Sequence, residues 1–215
     1  LAPGEKFRLS DLPRVKLPAL GGTVFELPDG GNGKHFEAVI LHFQVQRAYW
    51  VNDFDGGSNP PDCASTDNVH GIGIMGLMDG VETASNPGGL CETCPMAKFA
   101  SKLDNEGKPA TGQACRQLTR LYLLFPDSLL PTVFVLPPSS YKPFREYRKM
   151  GAFGLSPWQV ITTVTAVEAK SAGGIKYSEV HFERSGLLSP EAAAKVAAYR
   201  GIFMGAVATA AVDAA

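Results

Sequence analysis

Phe36-Glu-Ala-Val-Ile-Leu-His-Phe-Gln-Val-Gln-Arg-Ala-Tyr-Trp50 sets how the rest of the chain is read. In an extended chain Val39, Leu41, Phe43 and Val45 share one face, and Ala38, His42, Gln44 and Gln46 the other. Side chains alternate across a strand with a period of two, so this stretch predicts a strand with one buried face. Upstream, residues 1–35 are rich in Pro and Gly and read as an N-terminal arm. Downstream, from Val51 to about Ala114, the alternation is lost and Gly, Pro, Asn, Asp and Ser are dense. A structureless loop of this length is improbable inside a compact domain, so something must replace the missing apolar core.

Regular pattern returns at residues 117–125 and 132–136, two short apolar runs bounded by proline. Ser139 or Ser140 is placed to cap a helix over residues 141–150, which Gly151 and Gly154 close. Residues 158–168 and 175–184 are β-rich runs joined by Gly173-Gly174, a hairpin signal. Ser189-Pro190-Glu191 then opens an Ala-rich C-terminal helix over 189–215, with Ser as cap and Pro at the first position. The expected fold is mainly β with minor α. Five strands with a helix between the third and fourth give an OB-fold-like barrel over residues 36–188, with an insertion at 51–116 between strands 1 and 2. A sandwich could use the same elements.

The 215 residues are 45% hydrophobic and 19% charged, with a net charge of −1, which excludes a uniformly basic coat but not a local basic face. The start shows no signal-peptide pattern and no stretch reaches the roughly 20 apolar residues of a membrane span. The expectation is a soluble, cytoplasmic protein with no membrane partner.

All four cysteines lie in or beside the insertion. Cys91-Glu92-Thr93-Cys94 sets two sulfurs on one tight turn, suited to two corners of a zinc tetrahedron. Cys63 precedes this turn by 28 positions and Cys115 follows it by 21, while Pro60, Pro61 and Pro95 stiffen the approaches. In a reducing compartment such a set points to Zn2+ rather than disulfides. Four protein ligands leave no open coordination position, so the zinc would be structural and the chain not an enzyme. A zinc deaminase needs H-x-E and then P-C-x-x-C. His35-Phe36-Glu37 stands at the start of a strand and Leu90 precedes Cys91, so that reading is set aside.

Residues 116–151 carry six cations against two carboxylates, with aromatic residues interleaved. Single-strand binders need this mixture, because cations track phosphates and flat rings stack on unpaired bases. Arg120 and Tyr122 share the strand face opposite Leu121, Leu123 and Phe125, and are the expected binding face. Arg47, Tyr49 and Trp50 end the first strand where the insertion begins. With Arg116, Lys142 and Arg145 they complete the nucleic-acid set.

The motifs Arg47-Ala-Tyr-Trp50, Pro60-Pro-Asp-Cys63-Ala-Ser65-Thr-Asp67, Cys91-Glu-Thr-Cys94-Pro95, Gly112-Gln-Ala-Cys115-Arg116 and Leu136-Pro-Pro-Ser-Ser140 with Phe144 resemble phage and mobile-element proteins described as single-stranded-DNA-binding-like. The arrangement is also similar to the zinc-containing helix-destabilising proteins of T4-type phages, which are OB-folds with a zinc-bearing subdomain. This chain departs from those in having four cysteines and no His among the ligands, and in ending without an acidic tail. The resemblance implies a non-enzymatic single-stranded-DNA-binding protein of replication or recombination, with replication or recombination proteins or further copies of itself as partners. The alternative is a zinc-stabilised interaction module whose C-terminal helix buries Ile202, Phe203 and Val207 against another protein.

Overall fold

The computed structural model describes residues 11–17, 21–51, 61–73, 77–78, 81–82, 89–104, 106–171, 174 and 176–213. Of the sequence expectations, Pro60 and Gly173 lie outside these. The chain is mainly β, its sheet curled like half a barrel, with a minor helical part. In chain order the strands are β1 (Arg14–Val15), β2 (Phe25–Glu26), β3 (Asn32–Gly33), β4 (His35–Tyr49), β5 (Cys63–Ser65), β6 (Ile72–Gly73), β7 (Leu77–Met78), β8 (Val81–Glu82), β9 (Arg116–Leu124) and β10 (Thr132–Leu136). Helix α1 (Tyr141–Tyr147) follows, then β11 (Val160–Lys170), β12 (Lys176–Leu187) and helix α2 (Pro190–Asp213). The chain divides into two compact units: residues 44–118, and residues 1–43 with 119–215.

The principal sheet runs β1-β10-β9-β4-β11-β12. The pairings of β10 with β9, β4 with β11 and β11 with β12 are antiparallel, and that of β1 with β10 is parallel, with Arg14 opposite Val133. Phe36, Ala38 and Ile40 of β4, Leu121 and Leu123 of β9, Phe134 and Leu136 of β10, and Val164 and Val180 of β11 and β12 point into one core. Phe25 stands at its centre, fully buried, with ring centroids 5.1 Å from Phe36 and 5.7 Å from Phe134. The stretch read as an arm therefore supplies core: Leu12, Val15 and Phe25 are all buried. Its Pro and Gly content masked the isolated apolar residues that do the packing.

Helix α1 closes the core through Phe144, whose ring lies 5.5 Å from Phe43 and 5.1 Å from Phe182. Neither serine expected to cap it does so. The buried Ser140 hydroxyl instead accepts the Val180 N–H at 2.9 Å, tying the helix start to β12. The helix tightens into a 3-10 segment over Arg148–Phe153, which ends at Gly154 in the left-handed conformation glycine favours, φ 78°. Ser189 does cap α2, accepting the Ala192 N–H at 3.2 Å.

The one-sided expectation for β4 fails. The face expected to be buried packs Val39 and Leu41 against Val196 of α2, and the opposite face is buried too, with Phe36, Ala38 and Ile40 in the main core. The neighbouring face of β9 and β10 buries Tyr122 and Val133 against Phe203 and Val207 of the same helix. Helix α2 thus covers the outer face of the sheet with its own apolar residues, at 196, 203 and 207. Arg200 ties it down by donating from Nε to the Leu41 carbonyl at 2.8 Å. No helix among the described residues is long and apolar enough to cross a membrane.

Candidate metal centre and nucleic-acid face

All three apolar clusters of the described residues belong to the unit formed by residues 1–43 and 119–215. In the 44–118 unit the buried described residues are small or polar: Gln46, Ala48, Ser65, Gly71, Cys91, Ala97 and Cys115. Transfer of apolar area from water cannot hold such a segment by itself.

Backbone hydrogen bonds position each cysteine. Cys63 opens β5, paired with Tyr49 of β4 on one side and Gly73 of β6 on the other. The Cys91 N–H donates to the Val69 carbonyl at 2.7 Å. Cys94 precedes a 3-10 turn at Pro95–Ala97, and the Ala97 N–H reaches back to its carbonyl at 3.1 Å. The Cys115 N–H donates to Met96 at 2.8 Å, immediately before β9 begins. Lys98 bonds the Glu92 carbonyl through its ammonium group and clamps the turn between Cys91 and Cys94.

These anchors bring all four cysteines to the wall of one small cavity of about 20 Å³. None forms a disulfide. The rest of the wall is Ala64, Ser65, Gly71, Gly89, Ala97 and Arg47, residues small enough, Arg47 apart, to leave the centre to sulfur. Among the described residues no three His, Cys, Asp or Glu side chains are drawn together as a ready metal-binding group. Convergence on one cavity is the stronger fact, because a thiolate set tightens only as its protons leave and the metal enters. Burial pushes the Cys115 thiol up to about 11; the Arg47 charge opposes this, and Cys94, Cys63 and Cys91 reinforce it. Without a metal that thiol is protonated at neutral pH. The donor set, four cysteines lining one cavity, is of the kind that tetrahedral zinc takes.

A turn braces this wall. Asp67 Oδ1 accepts the Val69 and His70 N–H groups at 2.7 and 2.8 Å and the Ser65 hydroxyl at 3.0 Å, while Oδ2 lies 3.0 Å from His70 Nδ1. Desolvation would raise this carboxyl, but the hydrogen bonds from His70, Val69 and Ser65 outweigh it and hold it well below the usual range.

The residues expected to meet nucleic acid separate into three groups. Tyr49, Trp50 and Arg116 come together on a second cavity of about 430 Å³. The Arg116 guanidinium lies 6.0 Å from the Trp50 ring centroid. Met96 and Lys102, which pattern reading did not single out, line the same cavity. Burial raises the Tyr49 hydroxyl pKa, with the charges of Asp62, Cys115 and Cys94 adding to it. Lys142 and Arg145 are exposed on α1. Arg120, Tyr122 and Arg47 are placed otherwise than expected. Tyr122 is wholly buried, its ring 5.0 Å from Phe203 and stacked on His42 at 6.0 Å, so no base can reach it. Arg120, on the same face, is half-buried, with its Nε enclosed and, among the described residues, without a hydrogen-bond partner. Arg47 belongs to the cysteine cavity. The length of α2 was legible in the sequence, but not that it packs on the face where Tyr122 lies.

No protein-family model, curated protein or solved structure matches this chain.

Proposed function

We propose that the protein binds single-stranded DNA, without enzymatic activity, through a unit ordered by a structural four-cysteine zinc, in the replication or recombination of a phage or mobile element. The observation that carries this reading is the cavity where Tyr49, Trp50 and Met96 meet Arg116 and Lys102. An unpaired base needs an aromatic or apolar platform and a cation for the adjoining phosphate, and this cavity supplies both.

The strand path supports an OB-fold. The first strand, β4, lies between the second, β9, and the fourth, β11, and α1 follows the third, β10. In OB-folds the connection between strands 1 and 2, and the face of strands 2 and 3, bind single strands. Here α2 covers the outer face of β9 and β10, which leaves the strand 1–2 connection, within the 44–118 unit, to do so. Cys63, Cys91, Cys94 and Cys115 would hold the zinc, whose contribution is to tie four chain segments together. Structural zinc sites contribute on the order of 10–16 kcal/mol of apparent binding energy. Of the three residues on which the interaction-module alternative rests, Phe203 and Val207 are buried within the chain, while Ile202 is exposed.

Fluorescence anisotropy with labelled oligonucleotides tests the reading. Affinity should fall steeply as salt rises and favour single strands over duplex. Affinity flat in salt, or greater for duplex, contradicts it.

A further inference from the structure

We propose that Arg47 is a built-in counter-cation of the cysteine site, neutralising part of its charge and donating a hydrogen bond to its sulfurs. This rests on the zinc reading above. Four thiolates on a divalent zinc leave the centre with two net negative charges, and a dianion in a poorly solvated site needs opposite charge and donors close by. Arg47 is the only cation among the described residues lining the cavity.

Its placement follows from the fold. In the β4–β5 ladder Arg47 lies opposite Ser65, two residues beyond Cys63. Nε donates to Asn68 Oδ1 at 2.6 Å. Asn68 is held in the left-handed conformation, φ 62°, which Asn tolerates better than most residues. That bond fixes one edge of the guanidinium. Nη1 is buried and, among the described residues, without a hydrogen-bond partner. A buried guanidinium N–H left unpaired is costly. The cost is relieved when the thiols facing the same cavity become metal-bound thiolates, which accept N–H···S bonds. The fork geometry matters, because one nitrogen is spent on Asn68 while another remains for sulfur.

The experiment titrates the reduced full chain with Co(II), then with Zn(II) against a chromophoric chelator, for the wild type, Arg47→Lys and Arg47→Gln. The wild type should give an intense cobalt–thiolate charge-transfer band. Arg47→Gln should lose about 10–100-fold in zinc affinity, the range typical of residues supporting metal ligands. Arg47→Lys, which keeps the charge, should lose distinctly less. A general folding defect would not rank the variants by charge. At saturating zinc Arg47→Gln should bind single-stranded DNA as the wild type does. Unchanged zinc affinity in Arg47→Gln overturns the proposal, as do equal losses in both variants or lost DNA affinity at saturating zinc. A wild type without the cobalt band overturns the zinc reading, and this inference with it.

Discussion

Trp50 and Tyr122 are both aromatic residues beside arginines in the sequence, yet they do opposite work. Trp50 lines a cavity with Arg116, whereas Tyr122 is sealed beneath Phe203. Trp50→Ala should therefore weaken single-strand binding by about 1–3 kcal/mol, the usual worth of one stacked base, and leave the melting temperature nearly unchanged. Tyr122→Ala should do the reverse, lowering stability by a few kcal/mol in a denaturant titration, as large-to-small core changes do. His42, stacked on Tyr122, adds a pH dependence. Burial, and then the Arg200 charge, lower its pKa from 6.5. The unfolded chain takes up that proton first as pH falls. His42's contribution to stability is therefore complete above about pH 6.5 and declines as pH drops towards the lower folded-state value. Thermal melts between about pH 7.5 and 5 should show the decline, and His42→Gln should flatten it.

At the scale of elements, most of the principal sheet could be read directly. The alternation in β4, the proline-bounded runs of β9 and β10 and the capped start of α2 all correspond to elements of the structure. What could not be read was which elements cover which faces. Alternation shows that a strand has two faces, but not that a helix more than 140 residues later will pack on one of them. The role of residues 11–33 was hidden for a related reason. Single apolar residues between glycines and prolines carry no period, yet Phe25 sits at the centre of the core. Phe25→Ala should cost about 3–5 kcal/mol in chemical denaturation, against almost nothing for a detachable arm. Of the candidate site, the gathering of the four cysteines on one cavity was legible because cysteine spacing is chemical information. Of the residues expected to meet nucleic acid, Tyr49, Trp50 and Arg116 share one cavity. Arg47 shows the limit, since the residue whose charge suggested a phosphate contact lines the cysteine cavity.

For the whole molecule the question is what holds residues 44–118 together. Apolar packing serves the other unit, where every described apolar cluster is found. The cysteine unit has backbone ladders, the Asp67 turn and four thiols around one cavity. The hydrogen bonds on Asp67 favour its charged form, so their contribution is present above the ordinary carboxylate pKa of about 4 and is lost as pH falls towards the depressed folded value. They cannot by themselves replace a core. The most direct test is therefore the metal content of protein purified without added zinc, followed by its folding after chelation. The account predicts one zinc per chain, with loss of ordered structure in residues 44–118 and of single-strand binding when it is removed. A chain that carries no metal and keeps that unit folded would contradict it.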